Sequence, residues 1–261
     1  HSRSPSPTSR AMMVAAAERE AEATQRGAEV ERLCFCTIPH THSVRCVVMG
    51  RQDIAYTAGK EGFVMVWELD YLLSEQGDSV EPPAQCARVL PGPASGVACM
   101  TLVDDKYLCA GGWNAEIRVW DVTDPEYVCK GSLRGHSEFV RALVGGKGLV
   151  FSGSNDRTIR AWDLESLECV GMMAGHSLAV LCLELVGDVL LSGGYDFVIR
   201  CWHIDSRQCV GELGGHTQVV TCMLQDPRPP AEAPAEESPK RGRKKDEEPP
   251  PERRVVYSCS E

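Results

Sequence analysis

The sequence of 261 residues lacks an apolar run long enough to cross a bilayer, since its longest, Ala11 to Ala17, falls far short of the roughly 20 residues that a membrane helix needs. Positive charge is also scarce. The 37 acidic residues outnumber the 27 basic ones and give a formal net charge of -10, which excludes a chain-wide surface for nucleic-acid phosphates. No stretch resembles the charged, apolar and small-residue succession of a secretory signal, so we expect none in this sequence. Because the chain begins at His1 and not at methionine, we expect it to be part of a longer protein.

The sequence also lacks the common signatures of catalysis. It has no phosphate-binding glycine loop, no cofactor fingerprint and no isolated nucleophile with a base of its own. We therefore expect a binding protein, without a cofactor and without enzymatic activity. Thirteen cysteines are present, but their number is odd and they are spread over a long chain, which argues against a disulfide scaffold.

A repeat of 40 residues organises the chain. The dipeptide Gly-His recurs at this spacing, with its histidine at His136, His176 and His216. A tryptophan follows each of the first two histidines after 26 residues, and an aspartate precedes that tryptophan by six. The intervening residues alternate between apolar and polar and break at glycines, which indicates four short strands per unit.

Two weaker copies of the repeat lie upstream, with Trp67 and Trp120 in the tryptophan column. In the second of them Pro93 stands where the histidine is expected. A fifth copy begins at His216, is interrupted, and resumes at Val255. The sequence therefore contains four units and the start of a fifth.

The combination of Gly-His, a Ser-Gly-Ser-x-Asp turn and Trp-Asp, recurring about every 40 residues, resembles the WD-repeat β-propeller family. The resemblance covers residues 33–225 and 255–261. It implies an all-β fold, a partial propeller in which Trp, Ser, His and Asp of one unit form a hydrogen-bonded network at one rim. These residues would be His136, Ser152, Asp156 and Trp162 in the third unit, and His176, Ser192, Asp196 and Trp202 in the fourth.

Two chemical alternatives compete with the structural interpretation of these residues. A converging Ser, His and Asp suggest a catalytic triad, but a nucleophile needs one site with an oxyanion hole, whereas this set recurs in consecutive units. Cys34, Cys36, His40 and His42 suggest a zinc site, but their spacing is tighter than that of ordinary zinc loops. We favour the structural interpretation in both cases and expect no metal.

The cysteines follow the same register as the repeat. One set lies six residues after the histidine position and a second set lies seven residues before it. We expect both sets to be reduced thiols packed as small apolar side chains, because equivalent positions in adjacent blades are too far apart for a disulfide. The two sets are Cys46, Cys99, Cys182 and Cys222, and Cys86, Cys129, Cys169 and Cys209.

Segments outside the repeat differ in composition. A Ser/Pro/Arg tract opens the chain and is expected to be disordered, and an Ala/Glu-rich stretch after it favours a short helix. A stretch rich in proline and in charges of both signs interrupts the fifth unit and is expected to be disordered. The predicted boundaries are 1–10 for the tract, 11–31 for the helix, 32–225 for the blades, 226–254 for the insertion and 255–261 for the truncated next strand.

A basic cluster within the insertion is a candidate nuclear localisation signal. Acidic residues on both sides of it would weaken any contact with phosphates. Three interpretations stay open: a localisation signal, a local nucleic-acid contact, or a solvated run of charge. The cluster consists of Lys240, Arg241, Arg243, Lys244 and Lys245.

The resemblance also implies where a partner binds. Partners of this family often engage the rim with the Gly-His and Asp turns, through the residue before the Asp and those three or five positions after the His. Arginine and aromatic side chains are common interface anchors, so Arg45, Arg141 and Trp113 suit a peptide with acidic or phosphorylated residues and an apolar residue. The candidate residues are Arg45, Lys60, Trp113, Phe139, Arg141, Asn155, Leu181 and Tyr195.

The expected function is that of a protein-interaction scaffold or substrate-recognition propeller in a ubiquitin-ligase or signalling assembly. The alternative is a nuclear chromatin- or RNA-associated propeller that uses the basic cluster as an accessory contact. Both agree with a cytoplasmic or nuclear location away from membranes.

Overall fold

The computed structural model describes residues 40–51, 54–68, 86–225 and 256–260. Its strands make up an all-β fold, and the described ranges contain no helix, so none there could cross a membrane. The predicted all-β, partial propeller is confirmed. The predicted tract 1–10, helix 11–31 and insertion 226–254 with its basic cluster lie outside the described residues.

The strands form successive antiparallel sheets, each with its strands in chain order. Blade 1 consists of β1 (Val44–Met49), β2 (Ile54–Gly59), β3 (Phe63–Glu68) and β4 (Cys86–Pro91). Blade 2 consists of β5 (Val97–Val103), β6 (Tyr107–Gly112), β7 (Glu116–Asp121) and β8 (Cys129–Arg134).

The next sheets repeat this pattern. Blade 3 consists of β9 (Val140–Gly146), β10 (Leu149–Ser154), β11 (Thr158–Asp163) and β12 (Cys169–Ala174). Blade 4 consists of β13 (Val180–Val186), β14 (Val189–Gly194), β15 (Ile199–His203) and β16 (Cys209–Leu213). Blade 5 pairs β17 (Val220–Gln225) with β18 (Val256–Ser260). Strand β18 lies within the range 255–261 in which the sequence predicts the start of the next strand.

The hydrophobic core lies between blades and not within them. One buried cluster joins Val119 and Leu133 of blade 2 to Val140 and Trp162 of blade 3, and three similar clusters join the other neighbouring pairs. The second strand of a blade is buried almost throughout, whereas the fourth is mostly exposed. A blade therefore depends on its neighbours for most of its buried apolar surface.

A glycine in the second strand sets the distance between adjacent blades. A Cβ atom added at Gly153 would lie 2.7 Å from Cγ1 of Val180, at the start of the next blade's inner strand. The corresponding distances for Gly111 and Gly193 are 2.8 and 2.7 Å. Because these contacts are closer than two carbon atoms can approach, only glycine allows the observed packing at these positions.

Polar contacts join neighbouring blades at the turns between their first and second strands. Arg51 Nε lies 2.9 Å from Asp105 Oδ2, which links blade 1 to blade 2. The carboxylate of Asp104 accepts hydrogen bonds from the backbone N–H groups of Lys147 (3.2 Å) and Gly148 (2.6 Å), which links blade 2 to blade 3. Polar links at these turns thus supplement the apolar contacts between blades.

The described cysteines are all free. Burial raises the pKa of Cys46 and of Cys182 to about 12, so these thiols stay protonated and pack as small apolar groups, as expected. The same expectation is wrong for three of the four cysteines on the outermost strands, which face solvent, whereas Cys86 on β4 is half-buried. It is also wrong for one cysteine of blade 5, the last sheet of the described residues. These exposed cysteines are Cys129, Cys169, Cys209 and Cys222.

Replacing Gly153 by valine is expected to force blades 3 and 4 apart. The added methyl groups overlap Val180, and overpacking of this kind costs about 1–3 kcal/mol. The control is Gly211→Val, because a Cβ at Gly211 meets nothing within 4 Å. Urea unfolding followed by tryptophan fluorescence measures both, and equal stability of the two variants would contradict the proposed spacing role.

Candidate functional site

A chain of hydrogen bonds in blade 3 runs from a buried indole to a carboxylate at the rim. Trp162 Nε1 donates to Ser152 Oγ at 2.8 Å, and the Ser152 hydroxyl donates to His136 Nε2 at 2.7 Å. His136 Nδ1 then donates to Asp156 Oδ2 at 2.7 Å. We assign the proton of a neutral imidazole to Nδ1, because a carboxylate oxygen can only accept, and Nε2 then accepts from the serine hydroxyl. The chain fixes the turn before β9 against the turn between β10 and β11.

Blade 4 has the same arrangement. Trp202 Nε1 donates to Ser192 Oγ at 2.7 Å, Ser192 and His176 Nε2 are 2.7 Å apart, and His176 Nδ1 lies 2.8 Å from Asp196 Oδ2. The two serines are completely buried, so neither hydroxyl can reach a substrate. This geometry suits a structural network and not a catalytic triad.

Blade 1 contains a variant of the network. Thr57 replaces the serine, and its hydroxyl lies 2.8 Å from both Trp67 Nε1 and His40 Nε2. His40 Nδ1 is 2.9 Å from Glu61 Oε2. Both ring nitrogens of His40 are therefore engaged in the network. Cys34 and Cys36, the other members of the zinc alternative, lie outside the described residues.

Blade 2 has no such network. Ala110 stands at the serine position and Pro93 at the histidine position, and Trp120 Nε1 is buried without an acceptor among the described residues. Trp120 is only 1% exposed, so packing holds it in place. The chain is thus able to build a blade without the hydrogen bonds, at the cost of an unsatisfied buried donor.

The networks shift the protonation of their own members. Burial raises the pKa of Asp156, but hydrogen bonds from His136 and Thr158 outweigh it and hold that pKa well below its usual range. Burial lowers the pKa of His176 more than the hydrogen bond to Asp196 raises it. His176 is therefore neutral and Asp156 charged near pH 7.

A cavity of about 230 Å³ opens where the inner strands begin, on the rim with the Gly-His turns. Every blade contributes its fifth residue after the histidine position, and blade 2 adds a tryptophan. The cavity is smaller than the roughly 300–1,000 Å³ of a typical small-molecule pocket, so it suits the end of a side chain. It is lined by Arg45, Ala98, Trp113, Arg141, Leu181 and Thr221.

Two guanidinium groups line this cavity. Arg141 Nε donates to Asn155 Oδ1 at 2.8 Å, and Arg141 Cζ lies 5.7 Å from the centre of the Phe139 ring. The bond uses one of five N–H donors, so four remain for a ligand. Arg45 Cζ lies 5.9 Å from the centre of the Trp113 ring. Both arginines are therefore held near the cavity by contacts that leave most of their donors available.

The predicted partner-binding residues divide into three groups. Four of them line the cavity, namely Arg45, Trp113, Arg141 and Leu181. Asn155 and Phe139 contact Arg141, whereas Lys60 and Tyr195 are exposed and do not line the cavity.

Sequence reasoning missed two exposed apolar residues of this rim, Leu178 and Phe197. The sequence does contain a signal for these two residues. At the equivalent positions of unit 3 it has the charged residues Glu138 and Arg157. Among the described residues, no cluster of His, Cys, Asp and Glu is suited to a metal ion.

Comparison with known proteins gives three matched repeats. The family profile "WD domain, G-beta repeat" matches residues 84–121, 127–163 and 167–203. The solved structures of U3-55K and of the RRP9 WD40 repeats superpose with TM-scores of 0.62 and 0.61, both at 23% identity. Each superposition covers 71% of this chain. It covers 56% of the U3-55K chain and 55% of the RRP9 chain. At this identity the likeness concerns the fold.

Curated relatives match shorter stretches. The chain is 29% identical over 122 residues to the CCR4-associated factor 4 homolog of Candida glabrata, covering 43% of this chain and 19% of that protein. It is 38% identical over 77 residues to nuclear distribution protein PAC1 of Arthroderma benhamiae, covering 28% and 14%. It is 25% identical over 142 residues to a U3 snoRNP-associated protein-like protein of Arabidopsis thaliana, covering 49% and 29%. The chain therefore spans less than a third of the length of these relatives.

Substituting Ser152 by alanine is expected to destabilise the protein by about 1–3 kcal/mol, because the indole of Trp162 and the imidazole of His136 each lose a buried partner. The reverse change in blade 2, Ala110→Ser, supplies an acceptor to Trp120 Nε1. We expect it to lower the free energy of unfolding much less than Ser152→Ala, or to raise it. Chemical denaturation of both variants and of the wild type measures these free energies of unfolding. If Ser152→Ala were neutral, the network would not contribute to stability.

The protein is expected to lose stability as the pH falls below about 6.5, the ordinary pKa of histidine. His176 has a lowered pKa in the folded state, so the unfolded chain binds more protons in this range and the free energy of unfolding decreases. Denaturation at pH 7.5 and 5.5 tests this, and His176→Gln should make the dependence on pH shallower. An unchanged pH dependence in that variant would contradict the assignment.

Proposed function

Because the chain belongs to the WD-repeat β-propeller family, we propose that it is a non-enzymatic interaction module that binds a protein or peptide at the rim formed by the Gly-His and Asp turns. The observation that carries this proposal is the shared cavity. Arg45 of blade 1 and Arg141 of blade 3 line the same small space, and no single blade could form it.

The chemistry of the cavity favours an acidic ligand. Arginine donates to carboxylates and phosphates in a bidentate geometry, and such charge-assisted bonds are about twice as strong as neutral ones. The bond between Arg141 and Asn155 orients the guanidinium before a ligand arrives, which reduces the entropy lost on binding. We therefore assign the cavity to a glutamate, aspartate or phosphorylated side chain of the partner.

Trp113 supports an apolar contact beside the acidic one. Its ring lies in the cavity wall, against Arg45 and Gly96. Tryptophan is enriched among residues that dominate binding energy, because a large ring is removed from water at a small cost in side-chain entropy. An extended peptide with an apolar residue near its acidic residue fits both features.

Nucleic-acid binding remains an alternative prediction. It rests on the basic cluster from Lys240 to Lys245, which lies outside the described residues, and on the U3 snoRNP named in one relative. Salt-dependent retention on RNA that disappears when this cluster is neutralised would favour the alternative. Membership of a ubiquitin-ligase or signalling assembly likewise stays a prediction.

Arg141→Gln is expected to weaken binding of acidic peptides by about 10- to 100-fold, since a hydrogen bond to a charged group contributes about 1.5–3 kcal/mol. The probe is a pair of random 12-residue peptide pools with phosphoserine or alanine fixed at the centre. Fluorescence anisotropy should show that the wild-type chain prefers the phosphoserine pool and that the variant does not.

The matched control is Arg157→Gln, which removes the same charge from the same rim of the same blade but outside the cavity. It is expected to bind like the wild type. Equal losses in both variants would indicate a general effect of charge, and no preference for the phosphoserine pool in the wild type would contradict the proposal.

A further inference from the structure

Blades 3 and 4 present different chemistry at equivalent positions of the same rim. Three positions are compared: the second residue after the histidine and the residues on either side of the aspartate. In blade 3 they hold Glu138, Asn155 and Arg157, and in blade 4 they hold Leu178, Tyr195 and Phe197. Blade 4 therefore has three apolar or aromatic side chains where blade 3 has three polar ones.

These three residues of blade 4 lie at one hydrogen-bonded corner. The backbone N–H of Ser177 donates to Asp196 Oδ2 at 3.1 Å, and the N–H of Tyr195 donates to the carbonyl oxygen of Ala179 at 3.1 Å. Leu178 thus lies between Ser177 and Ala179, which both take part in these bonds. Phe197 directly follows Asp196. We name the three exposed residues of this corner the blade-4 apolar patch (Leu178, Tyr195 and Phe197).

The same backbone occurs in blade 3. Asn155 N–H donates to the carbonyl oxygen of Phe139 at 2.9 Å, and Ser137 N–H donates to Asp156 Oδ2 at 3.2 Å. Arg157 has a φ of 70°, and the equivalent residue of blade 4 has a φ of 64°. The two corners therefore differ in side chains and not in backbone conformation.

Folding does not account for the apolar residues of the patch. Leu178, Tyr195 and Phe197 are 47%, 46% and 39% exposed, so they contribute little to the core. Phe197 also takes a left-handed backbone conformation, which is uncommon for a bulky residue. Exposed apolar surface of this kind is typical of an interaction site.

The patch and the cavity are close to each other along the chain of blade 4. Ala179, which accepts the bond from Tyr195, is two residues before Leu181, and Leu181 lines the cavity. Because two residues of a strand span only about 7 Å, a partner segment with one side chain in the cavity is within reach of the patch.

We propose that the blade-4 apolar patch is a second subsite for the same partner segment whose acidic or phosphorylated residue occupies the cavity. It takes one apolar side chain, such as leucine, isoleucine, methionine or phenylalanine. The inference rests on the proposed function and makes it more specific, because the partner must carry an acidic group and an apolar residue at a fixed separation.

The test transfers the blade-3 residues to blade 4 in the 261-residue chain, as Leu178→Glu, Tyr195→Asn and Phe197→Arg. Blade 3 already carries these residues on the same backbone, and the triple change leaves the net charge unaltered. Phe197→Arg alone is a second variant in case the triple variant is poorly folded, and thermal unfolding checks both. The probe is the 12-residue pool with phosphoserine at the centre and all other positions randomised.

The wild-type chain is expected to enrich apolar residues about tenfold at one or two positions on one side of the phosphoserine, the ratio expected from burying one such side chain. The triple variant should lose this enrichment and keep its preference for phosphoserine over alanine. Phe197→Arg should reduce the enrichment in part.

Four outcomes would overturn the inference. Binding that depends on Arg141 but shows no apolar enrichment, or the same enrichment in the triple variant, removes the patch and leaves the proposed function intact. Absence of any binding that depends on Arg141 removes both. Wild-type dimerisation that the triple variant abolishes, seen in sedimentation velocity, would identify a second copy of the chain as the occupant of the patch.

Discussion

The hydrogen-bonded chain from a buried indole to a rim carboxylate is the interaction on which the geometry of this rim depends. In blades 3 and 4 it joins the turn before the inner strand to the turn after the second strand, so both turns are fixed to the blade interior. The serine and histidine members of the chain are buried, and losing one of them would leave a buried polar group without a partner. Blade 2 shows what remains without it, since packing alone holds Trp120.

Spacing in the sequence predicts the blades, and it places four of the eight candidate residues at the cavity. Arg45, Arg141 and Leu181 occupy the same place in the first, third and fourth repeats, and a repeating fold brings equivalent positions to one rim. Spacing does not give the direction of a side chain, so it does not separate Trp113 from Tyr195, which stand at equivalent positions but differ in their access to the cavity. It does not reveal exposure either, which is why cysteines on the outermost strands were expected to be packed.

Leu178 and Phe197 illustrate a further limit. The resemblance directs attention to positions that the whole family uses, whereas these two residues are distinctive only when blade 4 is compared with blade 3. The same backbone carries polar side chains in one blade and apolar ones in the next. Side-chain substitution thus changes the surface chemistry of the rim while the backbone of the two corners stays the same.

The state of the imidazoles is the most direct test of this account. Nitrogen-15 chemical shifts of His136 and His176, measured at pH 7 on the isotope-labelled chain, report which ring nitrogen carries the proton. The account predicts neutral rings protonated on Nδ1, with Nε2 acting as an acceptor for the buried serine. Charged rings, or rings protonated on Nε2 and exchanging rapidly with water, would contradict it.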